Sequence, residues 1–314
     1  MFEVTREMLE KAIEEERLHR RKMTDSVEKF MLPYMLSAMI LLFVILFLPV
    51  GFDKKLLILL GTILVYVIIG IAATLVLTAK YMRIMNIADV AKSLIRYKKE
   101  KEIRNSDAKT KIEWLTAKLS KNQNAREKIG AMNELMSVYA GECMEDKVDE
   151  YYEMIMQITP KTPIEKVIKF DSVLYYYDYK DDTEKYISAY NENEEILQQC
   201  WDMHLMMKFL VFSRYISYLI IQEDYQKAFE CYNLNLEMHE KAAEIDVAYA
   251  MSEENKELHC LDYAMLYCKL GEKEKSAESF RVALERFEST DKPSLRKHLE
   301  KVRRMLDEAG IDYT

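Results

Sequence analysis

Residues 30–52 and 56–79 carry no charged side chain, and this constrains the fold more than any other feature of the chain. About 20 apolar residues, rising ~1.5 Å each, cross the ~30 Å hydrocarbon layer of a bilayer. Runs of 23 and 24 residues are each long enough. Between them lies "FLPVGFDKKLL", residues 47–57. Pro49 and Gly51 break a helix, and Asp53, Lys54 and Lys55 need water. A charge held at mid-membrane costs about 2.5–3.5 kcal/mol on insertion scales. The pattern predicts a two-helix transmembrane hairpin over 30–79 with a short connection. A cleaved secretory leader fits poorly, because a long charged segment precedes the first run and no A-x-A pattern follows it.

Lysine and arginine set the expected orientation. Arg17, Arg20, Arg21, Lys22 and Lys29 precede the first run, and Lys80, Arg83, Lys92, Arg96, Lys98 and Lys99 follow the second. The connection offers only Lys54 and Lys55. Positive flanks stay on the cytoplasmic side, so both termini are expected there. The expected location is a bacterial inner membrane. Thr62, Tyr66, Gly70, Thr74 and Thr78 recur every four residues on the second span, with Pro33 and Ser37 as a shorter stripe on the first. Small and hydroxylic residues let helices approach closely. The stripe suits packing within one hairpin or formation of a homo-oligomer. The spans hold no ionisable group except tyrosine, which disfavours a pore or transporter.

Beyond the hairpin, charge and composition narrow the class. Residues 1–122 carry 21 Lys/Arg against 14 Asp/Glu, whereas residues 123–314 carry 24 against 39. An acidic C-terminal part is repelled by phosphate, so no nucleic-acid partner is expected. With only 7 Gly and 5 Pro, the chain reads as almost wholly helical. The five cysteines form no CxxC pair and cannot all pair within the chain, which fits a reducing compartment. No HExxH, nucleotide-binding glycine loop or G-x-S-x-G occurs. Neither an enzyme nor a bound metal or cofactor is expected.

The segments divide as follows. Residues 1–29 read as an amphipathic helix with Phe2, Met8, Leu9, Ala12 and Ile13 on one face, able to dock on the cytoplasmic domain or lie on the membrane. Residues 80–122 read as a juxtamembrane helix and polar stalk. Within them, Ala108, Ile112, Leu115 and Leu119 resume an apolar face beside Trp114. Residues 123–314 read as helices in pairs. Turn signals fall at Gly141, "YKDD" (179–182), "QED" (222–224) and "LGE" (270–272). Thr162-Pro163-x-Glu165 is a capping box with proline in the first turn, and Asp181 followed by Glu184 repeats the logic.

"LDYAMLYCKLGEKEKSAESFRVALERF", residues 261–287, resembles a tetratricopeptide repeat through Ala264, Tyr267, Gly271, Phe280, Ala283 and Leu284. "YLIIQEDYQKAFECYNLNL", residues 218–236, is similar through Tyr225, Ala228 and Tyr232, but departs at Ile216 and Asn235 and lacks the turn glycine. "KPSLRKHLEKVRRMLDEAG", residues 292–310, fits a terminal capping helix that stops at Gly310. The resemblance implies an all-α fold: the hairpin plus an α-solenoid of about four helical pairs with a C-terminal cap. It also implies a groove for a protein or peptide partner, lined by Ser213, Ser217, Leu261 and Met265. The tyrosine-rich "VLYYYDYKDD", residues 173–182, adds Tyr175 and Tyr179 as recognition or packing residues. The expected function is a membrane-anchored cytoplasmic adaptor. An accessory subunit assembled through the hairpin and a peptide-responsive sensor are the alternatives.

Overall fold

The computed structural model describes residues 3–47, 51–81, 103, 106–121, 124–246, 249, 251, 253–288, 290 and 292–313. Among these residues there are 13 α-helices and no strand. The chain forms two compact units: Met1–Ile13 together with Ser106–Thr314, and Glu14–Asn105.

The unit Glu14–Asn105 holds the long apolar part of α1 (Arg6–Leu46) and α2 (Phe52–Tyr81), both long and apolar enough to cross a membrane. Asp53 and Lys54 are exposed in the first turn of α2, not in the connection itself. An acid there suits the helix N-terminus. Most large apolar side chains on both helices stand in the open; Leu32, Phe43, Phe52 and Leu57 are 69%, 63%, 78% and 75% exposed. One narrower stripe on each helix is sheltered. The Tyr34 ring lies tilted against Tyr66 with centroids 5.2 Å apart, and its hydroxyl donates to the Tyr66 carbonyl. The Tyr66 hydroxyl reaches Ser37 Oγ at 3.4 Å. A Cβ built on Gly70 would lie 3.2 Å from the Tyr34 hydroxyl, so glycine is what admits the tyrosine. Tyr66 and Gly70 therefore face α1 and Thr62 is half-buried, while the side chains of Thr74 and Thr78 lie outside the described residues. On α1 the sheltered stripe runs through Tyr34, Ala38, Leu42 and Ile45; Pro33 and Ser37, placed on a stripe from sequence spacing, are exposed.

The helical unit begins earlier than the sequence suggests. α3 (Ala108–Leu119), read as part of a stalk, is capped by Asp107, which accepts from Thr110 N–H at 2.8 Å. It buries Leu115 with Ile129, Leu135 and Met136 of α4 (Ala125–Gly141) and with Val148 and Ile155 of α5 (Glu145–Gln157). Most of the expected juxtamembrane helix and stalk, residues 82–102, lies outside the described residues. A second core gathers α6 (Pro163–Tyr179), α7 (Thr183–Glu192), α8 (Glu194–Trp201), α9 (Leu205–Ile221) and α10 (Tyr225–Ala243) around Leu174, Tyr186, Tyr190, Phe212 and Tyr215. A third joins α11 (Glu253–Lys269), α12 (Lys273–Phe287) and α13 (Pro293–Glu308) around Ala264, Phe280, Leu299 and Leu306.

Four tight turns share one geometry. After α4, α6, α9 and α11 one residue takes a left-handed backbone: Cys143 (φ 56°), Asp181 (φ 52°), Glu223 (φ 60°) and Gly271 (φ 77°). The next residue's N–H reaches back to a helix carbonyl: Met144 to Tyr139 (2.9 Å), Asp182 to Tyr177 (2.9 Å), Asp224 to Leu219 (3.0 Å) and Glu272 to Tyr267 (2.9 Å). These are Schellman closures, and each leads directly into the partner helix. Gly310 (φ 63°) ends α13 in the same way, as its sequence position suggests. Two details differ from the sequence reading. Gly141 is the last residue of α4, and Cys143 takes the left-handed position. Asp181 is spent on its own turn, so the cap of α7 is Asp182, accepting from Lys185 N–H at 3.2 Å. The capping box of α6 forms as read, with the Glu165 carboxylate accepting from Thr162 N–H at 3.1 Å.

The N-terminal residues dock on the helical unit. Val4, Leu9, Ala12 and Ile13 are buried in the second core. Arg6 makes two hydrogen bonds to Glu237 (2.9 and 2.8 Å), and Lys227 meets Glu3 at 2.5 Å. Phe2 lies outside the described residues.

Left-handed backbone costs a non-glycine residue about 1–2 kcal/mol. Glu223→Gly is therefore expected to stabilise the protein by about 0.5–1 kcal/mol, and Gly271→Ala to destabilise it by about 1 kcal/mol, in chemical denaturation. At the N-terminal dock, hydrogen bonds from Arg6 and Lys241 pull the Glu237 carboxyl down to about 2. A depressed carboxylate stabilises the fold above its ordinary pKa, and that contribution is lost as pH falls from about 4.5 towards 2. Glu237→Gln at pH 7 is expected to reproduce the acid effect as faster tryptic cleavage after Arg6 and Lys11; an unchanged rate would remove the pair from the dock.

Candidate partner-binding surface

α6 presents Asp171, Tyr175 and Asp178 at helical spacing towards α9. Arg214 of α9 answers with Nε 2.8 Å from Asp171 Oδ1, the two side chains being only 17% and 15% exposed. The same guanidinium lies 5.9 Å from the Tyr175 ring. The Tyr186 hydroxyl of α7 donates to the Arg214 carbonyl at 3.0 Å, so three helices converge on one residue. Asp178 touches solvent yet is ringed by protein, and desolvation lifts its carboxyl above the ordinary value against the pull of Arg214 and Lys301.

At the end of α6, Tyr179 and Asp181 meet α13. Lys297 lies 5.5 Å from the Tyr179 ring centroid, and Lys301 Nζ is 2.9 Å from Asp181 Oδ1. Burial pushes the Tyr179 phenol up, and its hydroxyl has no hydrogen-bond partner among the described residues. Desolvation lowers the pKa of His298 on α13, while the negative charges of Asp262 on α11 and Asp178 oppose that shift.

The residues expected to line a groove are not one surface. Ser213 is exposed and Ser217 half-buried on α9, beside Arg214. Tyr175 joins them through that arginine. Met265 is half-buried against the second and third cores, and Leu261 has no exposed area at all. Leu261 is thus core: Ala264, three residues on, brings α11 close to α12, where Ser276 Oγ donates to the Ala264 carbonyl at 2.7 Å. The residues missed from sequence are Asp171, Asp178, Arg214, Lys297, His298 and Lys301. No local signal pairs Asp171 with Arg214, 43 positions apart, although Asp171, Tyr175 and Asp178 do form a polar stripe on a helix.

A second polar group ties α10 to α11. The Tyr232 hydroxyl donates to Asp262 Oδ2 at 2.7 Å and touches His259 Nδ1, and Tyr263 donates to Asn233 at 2.6 Å. Burial and Asp262 push the Tyr232 phenol far up, so it acts as a donor and not as a nucleophile. Among the described residues no three His, Cys, Asp or Glu side chains are grouped to hold a metal ion.

The chain has no match to any family model, to any curated protein or to any solved structure.

Removing one partner of a buried ion pair leaves an uncompensated charge and costs about 3–5 kcal/mol. Asp171→Ala should lose stability on that scale. The double variant Asp171→Leu/Arg214→Met should recover most of the loss, as judged by urea midpoints. If the two single variants simply add, Arg214 and Asp171 are not coupled.

Proposed function

We propose that the chain is a membrane-anchored adaptor that presents a helical partner-binding unit at the cytoplasmic face. The observation that carries this is the exposure of α1 and α2. Their large apolar side chains are left open, while the helical unit satisfies its own apolar residues in three separate cores. Exposed hydrocarbon on this scale marks a surface that something covers, and two helices this long and apolar suit lipid. The Lys/Arg-rich flanks support a topology with both termini inside, and the proposed location is a bacterial inner membrane.

The helical unit supports a binding role. Its paired helices, its repeated turns and the close α11–α12 contact at Ala264 agree with a tetratricopeptide-like, solenoid-type design. The α6–α9 face, with Tyr175, Asp178, Ser213 and Ser217, combines rigid aromatic area with exposed polar groups. Confinement beside a membrane raises the effective concentration of unit and partner. The subunit alternative draws less support, because Tyr66 and Gly70 are already occupied by Tyr34 inside the hairpin.

Two experiments separate these readings. Cysteine introduced at Asp53 should react with a membrane-impermeant thiol reagent in intact cells, whereas the protein's own cysteines should react only after lysis. Reaction at residue 53 only after lysis contradicts the topology. Crosslinked purification of the full-length protein should retain a stoichiometric partner, and Ser213→Glu/Ser217→Glu should lose it while remaining in the membrane. Loss caused instead by Gly70→Leu, with the serine variant unaffected, moves the function into the hairpin.

A further inference from the structure

In an open stack of helical pairs each pair touches only its neighbours, and a terminal helix covers the last pair alone. α13 does more. Leu299, Val302 and Leu306 bury one face with α11 and α12 in the third core. A different stripe, Ser294, Lys297, His298 and Lys301, turns back to helices far earlier in the chain. α13 packs on α4, where the position of a Gly141 Cβ is 3.9 Å from Ser294 Oγ. It also meets the end of α6 through Lys297 at the Tyr179 ring and Lys301 at Asp181. The last helix thus closes the unit onto its first pairs.

The two attachments differ in kind. The apolar face is buried, and leaving it would expose hydrocarbon to water. The basic stripe is held by groups in contact with water: Lys301 and Asp181 are 66% and 73% exposed. Such pairs are weak and are screened by salt. A cation over a tyrosine face adds a modest attraction.

We infer that α13 is a releasable latch: its apolar face is the fixed hinge side, and its basic stripe is a displaceable occupant of the Tyr179–Asp181 corner of α6, a surface suited to a basic amphipathic helix of a partner. At the α6 corner Lys180 is paired with Asp149, which leaves Tyr179 and Asp181 to meet the stripe that now fills it. Asp178 and Asp262 extend the acidic side towards His298. A partner helix with two lysines four residues apart would present the same groups to the corner as Lys297 and Lys301 do. It would gain access only when the seam between α13 and α4/α6 opens. The inference relies on the adaptor reading only for the identity of what displaces the helix. The latch itself is tested without a partner, and its readouts report on the helical unit alone.

The test uses the full-length protein in lipid nanodiscs and, as probe, a fluorescent synthetic peptide with the sequence of residues 293–308. Three forms are compared: the unaltered protein, Lys297→Glu/Lys301→Glu, and Gly141→Cys/Ser294→Cys carried with Cys143→Ser. Opening the seam should raise peptide affinity of the charge-reversed form at least tenfold over the unaltered protein, with binding falling as salt rises. Oxidising the cysteine pair should abolish binding, and reduction should restore it to the unaltered level in the same sample. Hydrogen exchange at the last turns of α4 and α6 should rise in the charge-reversed form while the α11–α12 face stays protected. Equal peptide binding by all three forms overturns the latch. So does exchange that rises together on α4, α6, α11 and α12, because α13 would then be a purely structural cap that leaves as one piece.

Discussion

The exposed hydrocarbon of α1 and α2 is the constraint on which the rest of this architecture depends. α1 and α2 turn leucine, isoleucine, valine and phenylalanine outward along most of their apolar length, and only one stripe on each is sheltered by the other. In the proposed bilayer setting, lipid tails remove the cost of that exposure and leave contacts between the helices to be made by shape and hydrogen bonds. The pairing of Tyr34 with Tyr66 and Gly70 fits that demand: the glycine admits the ring, and the phenol finds a backbone carbonyl. A hairpin solved in this way frees the rest of the chain to fold as a water-facing unit with its own cores.

That unit is built by repetition of one local device and tied by long-range polar contacts. The same left-handed residue and back-reaching N–H close four helix pairs, and three of the four left-handed positions are filled by residues other than glycine. Those positions hold strain, at about 1–2 kcal/mol each, that the packing of the paired helices offsets. Between pairs the ties are more specific. Arg214 joins α6, α7 and α9, while Tyr232, Asp262 and His259 join α10 to α11. Both ends of the chain then fold back on the unit: residues 4–13 into the second core, and α13 onto the earliest pairs.

Much of this is legible in the sequence wherever the signal is local. Two charge-free runs, the Thr162–Glu165 capping box, the turn at Gly271 and the stop at Gly310 each depend on residues within a few positions of one another. Where a choice between neighbours decides, the reading slips. Cys143 takes the left-handed position although Gly141 is close by, and Asp182 caps α7 because Asp181 already occupies the turn. Helix phase explains another miss, since Leu261 faces inward with Ala264 instead of lining a groove. Contacts set by tertiary packing leave no local mark. The salt bridge from Asp171 to Arg214 and the return of α13 to α4 join residues whose spacing carries no periodic signal, and the apolar face of α3 does not say which core receives it.

The central claim is that lipid covers α1 and α2 of a folded, intact protein. Alkaline carbonate extraction of membranes from cells producing the full-length chain tests it most directly, since that treatment strips peripheral proteins and leaves spanning ones in place. The expected result is that the protein floats with the lipid after the wash, and that its helical unit is cleaved by protease added from the cytoplasmic side alone. Quantitative release into the soluble fraction would contradict the account, because the exposed apolar faces would then have to be covered by protein.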